Sequence, residues 1–339
     1  MDPLVAGAPF PRLIGDVGGT HARFAVVAAE GEGITRTRES DADDHPSLEA
    51  AVAAYLREPG VPSPASCAIS IASAVTGDQV AMTNRDWSFS IASLRRRLGV
   101  DRLLVLNDFT ALALALTDLA AEELEPVGGG RAVAGETRAL LGPGTGLGVG
   151  CLVVDDGVVV PLASEGGHAT LGAGDEREER AIAALRREFG HASAERALSG
   201  AGIVNLYRFA CEEAGRAALP LAPPEVTARA LAGADDACSE AVELFFALLG
   251  GVAGDLALTL GARGGVYIGG GIVPQLGAAI QRSQFRRRFE AKGRREAYLS
   301  SIPVWLIQAA SPPALRGANA ALDVMAARSG SAWAIVAGG

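Results

Sequence analysis

Lysine is almost absent from this 339-residue chain, in which Lys292 is the single example and arginine supplies nearly all the basic charge. Lys292 lies in the polar stretch from Arg286 to Arg295, which is typical of a solvated surface. The sequence also has no GxxxxGKS or GxxxxGKT motif, so a P-loop enzyme with a phosphate-binding lysine is excluded.

Cysteine is scarce as well, and its four residues lie far apart without a CxxC pair. This spacing excludes a zinc ribbon and a thioredoxin-like redox site. We therefore expect small, buried apolar residues at Cys67, Cys151, Cys211 and Cys238.

Excess positive charge and long apolar runs are also lacking. The net charge of -9 leaves no surplus of basic groups to neutralise phosphates, so nucleic acid is not an expected partner. No basic segment followed by an apolar run marks the N-terminus, so we expect no signal peptide. The uncharged helical stretch between Glu243 and Asp255 is shorter than the roughly 20 residues of a membrane span. The sequence predicts a soluble cytoplasmic protein with no membrane partner.

The chain is longer than one hydrophobic core usually serves, so two domains are expected. A strand, a glycine-rich turn and a second strand occur from Leu13 to Val27 and again from Leu140 to Val154. The two halves are too different to be a sequence repeat. They nevertheless predict two α/β lobes that face one another across a ligand-binding cleft.

Apolar spacing and glycine stops place the remaining elements. The predicted helices cover His45 to Leu56, 176 to 189 with Gly190 as C-cap, about 202 to 214, about 239 to 261, and the segment from Pro313 onward. The predicted strands cover Cys67 to Ile71, Leu103 to Leu106 and Ile302 to Ile307, and Gly265 to Val273 is predicted to be a buried strand that ends in a glycine turn.

The tip of the first hairpin, Gly18-Gly19-Thr20, follows a carboxylate at Asp16. Glycine lets the backbone approach a ligand and direct its N–H groups at an anion, so this turn can hold the β- and γ-phosphates of a nucleotide. The Asp16 carboxylate then suits Mg²⁺, directly or through a water. The alternative is that Asp16 only caps the turn.

The second glycine-rich segment, residues 142 to 150, has glycine at every second position. This spacing differs from the GxGxxG of a dinucleotide-binding fold, and the chain has no GxSxG nucleophile elbow. Backbone amides pointed at an anion are the functional interpretation, and a plain tight hairpin is the structural one.

Asn107 and Asp108 lie between an apolar strand and an apolar helix that is predicted to begin near Thr110. A carboxylate at Asp108 is then at the C-terminal end of a strand, where α/β proteins place their sites. The alternative is an N-cap for the helix, a position that Asn and Asp both favour. The two roles do not exclude one another.

Glu165 and His168 are separated by two glycines and can direct polar groups into one pocket. A sugar site needs several fixed donors and acceptors of this kind. Glu195 can add a further carboxylate. The alternatives are a structural histidine that is simply hydrogen-bonded and an acidic residue favoured by the helix dipole.

Taken together, these segments closely resemble the bacterial glucokinases of the actin-like, hexokinase-fold superfamily. The resemblance holds in order and spacing from about residue 12 to about residue 328. It is carried by Ile14–Arg23, Ala81–Trp87, Leu106–Ala111, Gly142–Gly150, Ser164–His168, Gly190–Gly200 and Val266–Gly271.

The resemblance implies an α/β protein with the two-lobed actin-like ATPase (ribonuclease H-like) fold and a central cleft. Residues 12–106 form the small α/β domain, which the C-terminal helix 314–328 completes, and residues 107–313 form the large one. Relatives commonly form dimers, so a homodimer is expected.

The resemblance also implies a role for each matching residue. The residues that match those receiving the ATP phosphates are Asp16, Gly18, Gly19 and Thr20 from one lobe and Gly144, Thr145 and Gly146 from the other. The residues that match the turn near the adenosine are Gly269, Gly270 and Gly271. Asp108 matches the general base. The residues that match those holding the sugar hydroxyls are Asn107, Glu165, His168 and Glu195.

Some features of related sugar kinases are missing. The repressor–kinase relatives carry a cysteine-rich zinc motif, and some add a helix-turn-helix, so the chain is placed in the zinc-free group. Ser73-Ala74 stands where a small residue followed by proline is expected. The segment from Ser329 to Gly339 has no identified counterpart.

The resemblance implies phosphorylation of glucose to glucose 6-phosphate, with ATP and Mg²⁺ and with Asp108 as the base. A kinase for mannose, fructose or an N-acetylated hexose is the nearest alternative, because the same site residues can serve more than one sugar. A sugar-sensing regulator without turnover and an actin-like filament protein are further alternatives.

Overall fold

The computed structural model describes residues 8–83, 85–155, 158–309, 312–326 and 335–337. Contacts within the chain divide it into two units. The first comprises Met1–Leu119, Pro161–Ala163 and Ala309–Gly339, and the second comprises Ala120–Val160 and Ser164–Gln308. The domain boundary between residues 106 and 107 stays a prediction, whereas the contacts group residues 107 to 119 with the first unit.

The elements up to Ala115 are strands and short helices. They are β1 (Arg12–Val17), β2 (His21–Val27), β3 (Thr35–Asp41), α1 (Leu48–Leu56), β4 (Ser66–Ile71), β5 (Gln79–Ala81), β6 (Ser88–Ser90), α2 (Ile91–Leu98), β7 (Arg102–Asn107) and α3 (Asp108–Ala115).

The rest of the chain begins with strands and continues mainly with helices. The elements are β8 (Leu124–Pro126), β9 (Arg138–Pro143), β10 (Leu147–Asp155), β11 (Val158–Ser164), α4 (Glu176–Phe189), α5 (Gly200–Glu213), α6 (Pro223–Leu231), α7 (Asp236–Leu260), β12 (Val266–Ile268), α8 (Ile272–Leu276), α9 (Ala279–Arg282), α10 (Phe285–Glu290), α11 (Glu296–Ser300), β13 (Val304–Ile307), α12 (Pro313–Ala326) and β14 (Ile335–Ala337).

The two six-stranded sheets have parallel and antiparallel pairings in the same order. The order is β3-β2-β1-β4-β7-β14 in one sheet and β11-β10-β9-β12-β13-β8 in the other. In each, an antiparallel hairpin (β1–β2 or β9–β10) is followed by two parallel strands and then by an antiparallel edge strand. The halves therefore repeat a topology although the sequence carries no recognisable repeat.

The C-terminal region contributes to the first of these sheets. Helix α12 begins at Pro313, and residues 327 and 328 of the predicted helix 314–328 lie outside the described residues. Beyond it, β14 pairs antiparallel with β7. Helix α12 also packs so closely on α3 that a Cβ on Gly317 would overlap the backbone of Ala111.

Strand burial explains which elements the sequence revealed. Every residue of β4 is buried, and β7 is buried from Leu103 to Leu106, as expected for parallel strands covered on both faces. Strand β3 is nearly all exposed and carries Arg36, Arg38 and Glu39. No apolar alternation marks it, so the sequence analysis missed this edge strand, whose charges discourage pairing with another chain.

Helix α7 is the central helix of the second unit. It has 25 residues and a mean hydropathy of 1.8, so by length and composition it is apolar enough to cross a membrane. However, 67% of that apolar window is buried inside the structure, and α5, α6 and α10 pack on it. Gly250 and Gly254 allow this approach, because a Cβ on either would overlap the backbone of Phe285 or Phe289. Burial against other helices is the mark of a core helix.

The stretch from Arg286 to Arg295 is not the simple solvated surface that the sequence predicts. Phe289 is fully buried under α7, and the Lys292 side chain is only 20% exposed. Lys292 Nζ lies 2.6 Å from Oδ1 of Asp255. The prediction failed because the packing partner of this stretch is distant in sequence.

The prediction for cysteine is confirmed. The free thiols are all buried, at Cys67, Cys151, Cys211 and Cys238. Burial raises the pKa of Cys151 to about 11, so this thiol stays protonated at neutral pH.

A buried ion pair joins α4 to α10, and its removal is expected to be costly. Glu178 is 1% exposed, and it accepts hydrogen bonds from Nε and Nη2 of Arg288 at 2.9 and 2.8 Å. Glu178→Ala leaves a largely buried guanidinium without a carboxylate, which should lower the free energy of unfolding by about 3–5 kcal/mol. Calorimetric melting of wild type and variant measures this loss.

The matched control for Glu178 is the exposed pair between Arg180 and Glu213, whose atoms approach to 2.7 Å. Glu213→Ala should cost only about 0–1 kcal/mol, because solvent screens this pair. Equal losses in the two variants would show that burial does not set the strength of the α4–α10 pair.

Candidate active site

The parallel strands of the first unit end at the same edge of their sheet. Asp16 on β1 pairs in register with Ser70 on β4, and Ser70 pairs with Leu106 on β7. Asn107 and Asp108 follow directly, so the structure brings both to the same edge as Asp16. The carboxyl ends of parallel strands are where α/β folds place their ligand sites.

The Asp16 side chain is 15% exposed at this edge. Its Oδ1 accepts a hydrogen bond from the Ser70 hydroxyl at 3.1 Å, and its Oδ2 lies 3.5 Å from Nη1 of Arg23. Burial raises the pKa of Asp16, and both partners oppose that rise. Because a carboxylate has about four lone-pair sites, these two contacts leave acceptor positions for a hard cation.

Asn107 is the N-cap of α3, which begins at Asp108 and not near Thr110. Its Oδ1 accepts from the N–H groups of Phe109 and Thr110 at 2.9 and 3.4 Å. Its Nδ2 donates to the Ser73 carbonyl at 3.3 Å. Asn107 therefore caps the helix, and the Asp108 carboxylate is not the N-cap.

The Asp108 carboxylate has an unusual acidity. Burial raises the pKa of Asp108 to about 6, the nearby negative charge of Asp16 adds to the rise, and the hydrogen bond from the Phe109 N–H opposes it. Such a group is largely ionised at pH 7 and is a stronger base than an exposed aspartate. A pKa close to the working pH is the property that general-base catalysis requires.

The first hairpin is held by its carbonyl groups. The Gly19 carbonyl accepts from Nη1 of Arg85 at 2.6 Å, and the Thr20 carbonyl accepts from the Ala42 N–H at 2.7 Å. The Gly18 N–H is used inside the turn. Within the described residues, the N–H groups of Gly19 and Thr20 have no acceptor, so they are available to an anion.

The second hairpin is fastened to the start of α5 and to the 3-10 turn before it. Oε2 of Glu195 accepts from the Leu147 N–H at 2.9 Å, and the Gly144 carbonyl accepts from the first N–H of α5 at 2.9 Å. In the part of the chain that the structure describes, the N–H groups of Thr145 and Gly146 have no acceptor. This tip thus offers unpaired donors in the same way as the first.

Glu165 and His168 flank a 3-10 turn, and their side chains face one another. His168 Nε2 lies 3.9 Å from Oε2 of Glu165, and the side chains are 63% and 70% exposed, respectively. The 3-10 turn Gly166–His168 contacts the 3-10 turn Ala194–Arg196, which carries Glu195, and an isolated antiparallel bridge joins Thr170 to Ser193 between them. The structure therefore groups the predicted sugar-binding residues of the second unit.

This turn packs directly on the second hairpin. A Cβ on Gly167 would overlap the Leu147 carbonyl, and a Cβ on Gly166 would lie 2.9 Å from Cγ1 of Val149. Glycine at both positions allows the close approach. The Glu165 and His168 side chains consequently lie next to the second hairpin, which belongs to the same unit.

The predicted turn Gly269-Gly270-Gly271 follows β12, which runs parallel to β9. The Gly269 N–H donates to the Leu141 carbonyl at 2.7 Å. Gly270 has a φ of +77° and lies so close to Pro143 that a Cβ would overlap its carbonyl. The structure thus places this turn beside the start of the second hairpin.

The departure at Ser73-Ala74 does not leave its loop unsupported. The Ser73 hydroxyl accepts from the Thr83 N–H and donates to the Ala72 carbonyl, both at 2.7 Å. Its carbonyl holds Asn107 as described above. Asn84, which belongs to the motif Ala81–Trp87, lies outside the described residues.

Sequence reasoning missed Ser70 and Arg85. Ser70 lies in an apolar strand where nothing marks its contact with Asp16. Arg85 lies in a matched motif, but its contact with Gly19 spans 66 positions of sequence. Among the described residues, no group of three or more His, Cys, Asp or Glu side chains is placed to hold a metal.

Comparisons with known proteins agree on one family. The family model for glucokinase matches residues 13–325. The glucokinase of Aromatoleum aromaticum is 54% identical over 322 residues, which cover 95% of this chain and 97% of that protein. The crystal structure of a glucokinase from an Antarctic psychrotroph superposes with a TM-score of 0.85 at 34% identity and covers 93% of this chain and 99% of that one.

More distant structures share the fold. The ROK-family glucokinase from Streptomyces griseus, solved with glucose and AMPPNP, has a TM-score of 0.62 at 18% identity and covers 91% of this chain and 98% of its own. The predicted α/β fold is therefore confirmed as the two-domain actin-like ATPase fold of these sugar kinases. With 54% identity over nearly its whole length and a family match across it, this chain belongs to the glucokinase family.

Proposed function

We propose that this chain is a cytoplasmic kinase that transfers the γ-phosphoryl group of ATP to glucose and forms glucose 6-phosphate. Family membership supports the reaction class, and a structural neighbour was solved with glucose and an ATP analogue. The observation that carries the chemistry is Asp108, a carboxylate at a strand's C-terminal end with a pKa raised to about 6.

In the proposed reaction, Asp108 accepts the proton of the sugar 6-hydroxyl. The freed oxygen attacks the γ-phosphorus in line, a new O–P bond forms, and the bond to the β–γ bridging oxygen breaks to release ADP. Asn107 is the N-cap of α3 and directly precedes Asp108. This position supports a contact with the same sugar.

The remaining sugar hydroxyls are assigned to Glu165, His168 and Glu195. These polar groups are close together in the second unit, and two carboxylates with an imidazole supply the donors and acceptors that a polyol needs. Some of these donors and acceptors lose their partner when a sugar hydroxyl is missing or inverted, which is a physical basis for selectivity among hexoses.

Both glycine-rich tips are assigned to the phosphates of the nucleotide. The unpaired N–H groups of Gly19 and Thr20 and of Thr145 and Gly146 stabilise charge on the transferring phosphoryl group. The turn Gly269–Gly271 is assigned to the adenosine side. Positioned backbone amides and electrostatic stabilisation supply most of the catalysis in phosphoryl transfer.

Magnesium is assigned as part of the MgATP substrate. Mg²⁺ usually keeps several waters and takes one or two protein carboxylates together with phosphate oxygens. The single carboxylate of Asp16, with spare acceptor capacity, fits that pattern. Asp16 is proposed to contact the ion directly or through a water.

Assembly is proposed as a homodimer, because two-fold dimers are the commonest assembly of soluble chains. Light scattering after size exclusion measures the mass directly. A single peak at the 34.5 kDa mass of one chain would contradict the dimer.

The first test of the reaction is a coupled assay for ADP release with ATP, Mg²⁺ and a panel of glucose, mannose, fructose and N-acetylglucosamine. Strong turnover with glucose supports the proposal. Turnover mainly with another hexose assigns that sugar as the substrate. No ADP release with any sugar, while glucose still binds, contradicts catalysis and favours a sugar-sensing regulator.

The acid side of the pH profile is expected to report Asp108. The base must be ionised, so kcat/KM for glucose should fall about tenfold per pH unit below about pH 6 and level off above it. In Asp16→Asn the loss of a neighbouring negative charge should move this limb to lower pH. Initial rates between pH 4.5 and 8.5, with circular dichroism to confirm folding, measure both profiles. A limb that stays in place in Asp16→Asn contradicts the coupling.

A further inference from the structure

Arg85 lies between β5 and β6 and makes an unusual set of contacts. Its Nη1 donates to the Gly19 carbonyl at 2.6 Å, and its Nη2 lies 2.7 Å from Oδ1 of Asp43. Its guanidinium carbon lies 4.4 Å from the ring centre of Trp87, which is buried. The Arg85 side chain is only 10% exposed, so the guanidinium is held from three sides.

These contacts fix one tip of the candidate phosphate site. Arg85 donates a hydrogen bond to the Gly19 carbonyl, and the N–H of Ala42, the residue before Asp43, donates one to the Thr20 carbonyl. With both carbonyls held, the peptide planes cannot rotate freely. The Gly19 carbonyl shares its peptide plane with the Thr20 N–H, so the hydrogen bond from Arg85 fixes the direction in which this unpaired N–H points.

A purely structural arginine does not explain these contacts well. Nε of Arg85 is buried and has no hydrogen-bond partner among the described residues, which is a cost to stability. Its carboxylate partner Asp43 is 88% exposed, so solvent screens that ion pair. The contact that remains strong is the charge-assisted hydrogen bond to Gly19.

We propose that Arg85 is a positioning residue for the phosphate chain of MgATP, acting through the Gly19 carbonyl. The inference rests on the proposed nucleotide role of the first hairpin. Without Arg85 the tip must be ordered by the nucleotide itself, and its N–H groups no longer meet the transferring phosphoryl group in a fixed direction. Among the described residues, the polar and ring contacts of Arg85 are with Gly19, Asp43 and Trp87, so glucose binding should be unaffected.

The test compares Arg85→Ala with wild type in steady-state kinetics and in calorimetric titration with ADP. Loss of a hydrogen bond from a charged donor should lower kcat/KM for MgATP by roughly 10- to 100-fold. We expect KM for glucose to stay within about twofold. Millimolar guanidinium should restore part of the lost rate, because the Trp87 face and the Gly19 carbonyl remain in place.

Arg38→Ala is the matched control, because Arg38 is an arginine of the same unit that pairs with Glu58 at 3.1 Å and is 65% exposed. This variant should leave both KM values and kcat unchanged. Arg85→Lys keeps the charge but cannot donate to Gly19 and Asp43 in one plane, so it should recover only part of the loss.

Two results would overturn the inference. One is an Arg85→Ala enzyme whose kcat/KM for MgATP stays within twofold of wild type. The other is a parallel loss for glucose and MgATP, with a lower melting temperature and no rescue by guanidinium, which is the signature of a structural role. If the wild type does not phosphorylate glucose but binds ADP more tightly than Arg85→Ala, the proposed reaction fails and the role of Arg85 stands.

Discussion

Asp108→Ala is expected to lower kcat for glucose phosphorylation by roughly 10²- to 10⁴-fold, the usual size of general-base catalysis. The carboxylate is the group with a pKa raised to about 6 at the end of β7, and alanine cannot accept the proton of the sugar hydroxyl. Because the hairpins that are proposed to bind the phosphates are untouched, KM for MgATP should change little. Steady-state rates with saturating glucose measure the effect.

Folding of the variant can be separated from catalysis. The pKa of Asp108 is higher in the folded chain than its ordinary value of 3.8, so its ionisation costs stability as the pH rises through about 6. At pH 7.5, Asp108→Asn should therefore melt no lower than wild type while remaining inactive. Asp101→Ala, at an exposed position just before β7, is the matched control and should keep full activity. An Asp108→Ala enzyme with more than about a third of wild-type activity contradicts the proposed base.

Glu195→Ala is expected to have a comparable effect, with a roughly 10²- to 10⁴-fold lower kcat/KM for glucose. Glu195 has two tasks in the proposal, because one oxygen accepts from the Leu147 N–H at 2.9 Å and the other is left for a sugar hydroxyl. Each lost hydrogen bond to a charged group costs about 1.5–3 kcal/mol, and the two losses act on the same transition state.

The comparison with Glu165→Ala isolates the contact that Glu195 makes with the second hairpin. Glu165 is proposed to bind the sugar, and among the described residues its charged partner is His168, at 3.9 Å. Both variants should weaken glucose binding. Only Glu195→Ala should also weaken ADP binding measured without sugar, because the Glu195 carboxylate accepts a hydrogen bond from the Leu147 N–H of that hairpin. Equal ADP affinity in the two variants would show that Glu195 does not order the hairpin.

Local sequence patterns were sufficient for several elements. The amphipathic spacing and Gly190 placed α4 at its observed bounds, and Gly190 has a φ of +76°. The order of motifs pointed to the family, which the comparisons confirmed. The roles of Asn107, Glu165, His168 and Glu195 in sugar binding stay predictions.

Other elements depended on partners that are remote in sequence. Strand β3 is exposed and charged, so it is a strand only because β2 offers it an open edge. The stretch around Phe289 and Lys292 looked like solvated surface until α7 was placed over it. Local propensity is a weak guide where tertiary contacts supply most of the free energy.

The sequence by itself determined which residues are candidates for chemistry: glycines that open a turn and carboxylates that follow strands, in a chain with a single lysine. The tertiary structure alone decided their states. It assigned the cap to Asn107, raised the pKa of Asp108 by burying it near Asp16, and placed Arg85 on the Gly19 carbonyl. Burial and electrostatic coupling act between atoms that are close in space, and their strength is fixed only when the chain has folded.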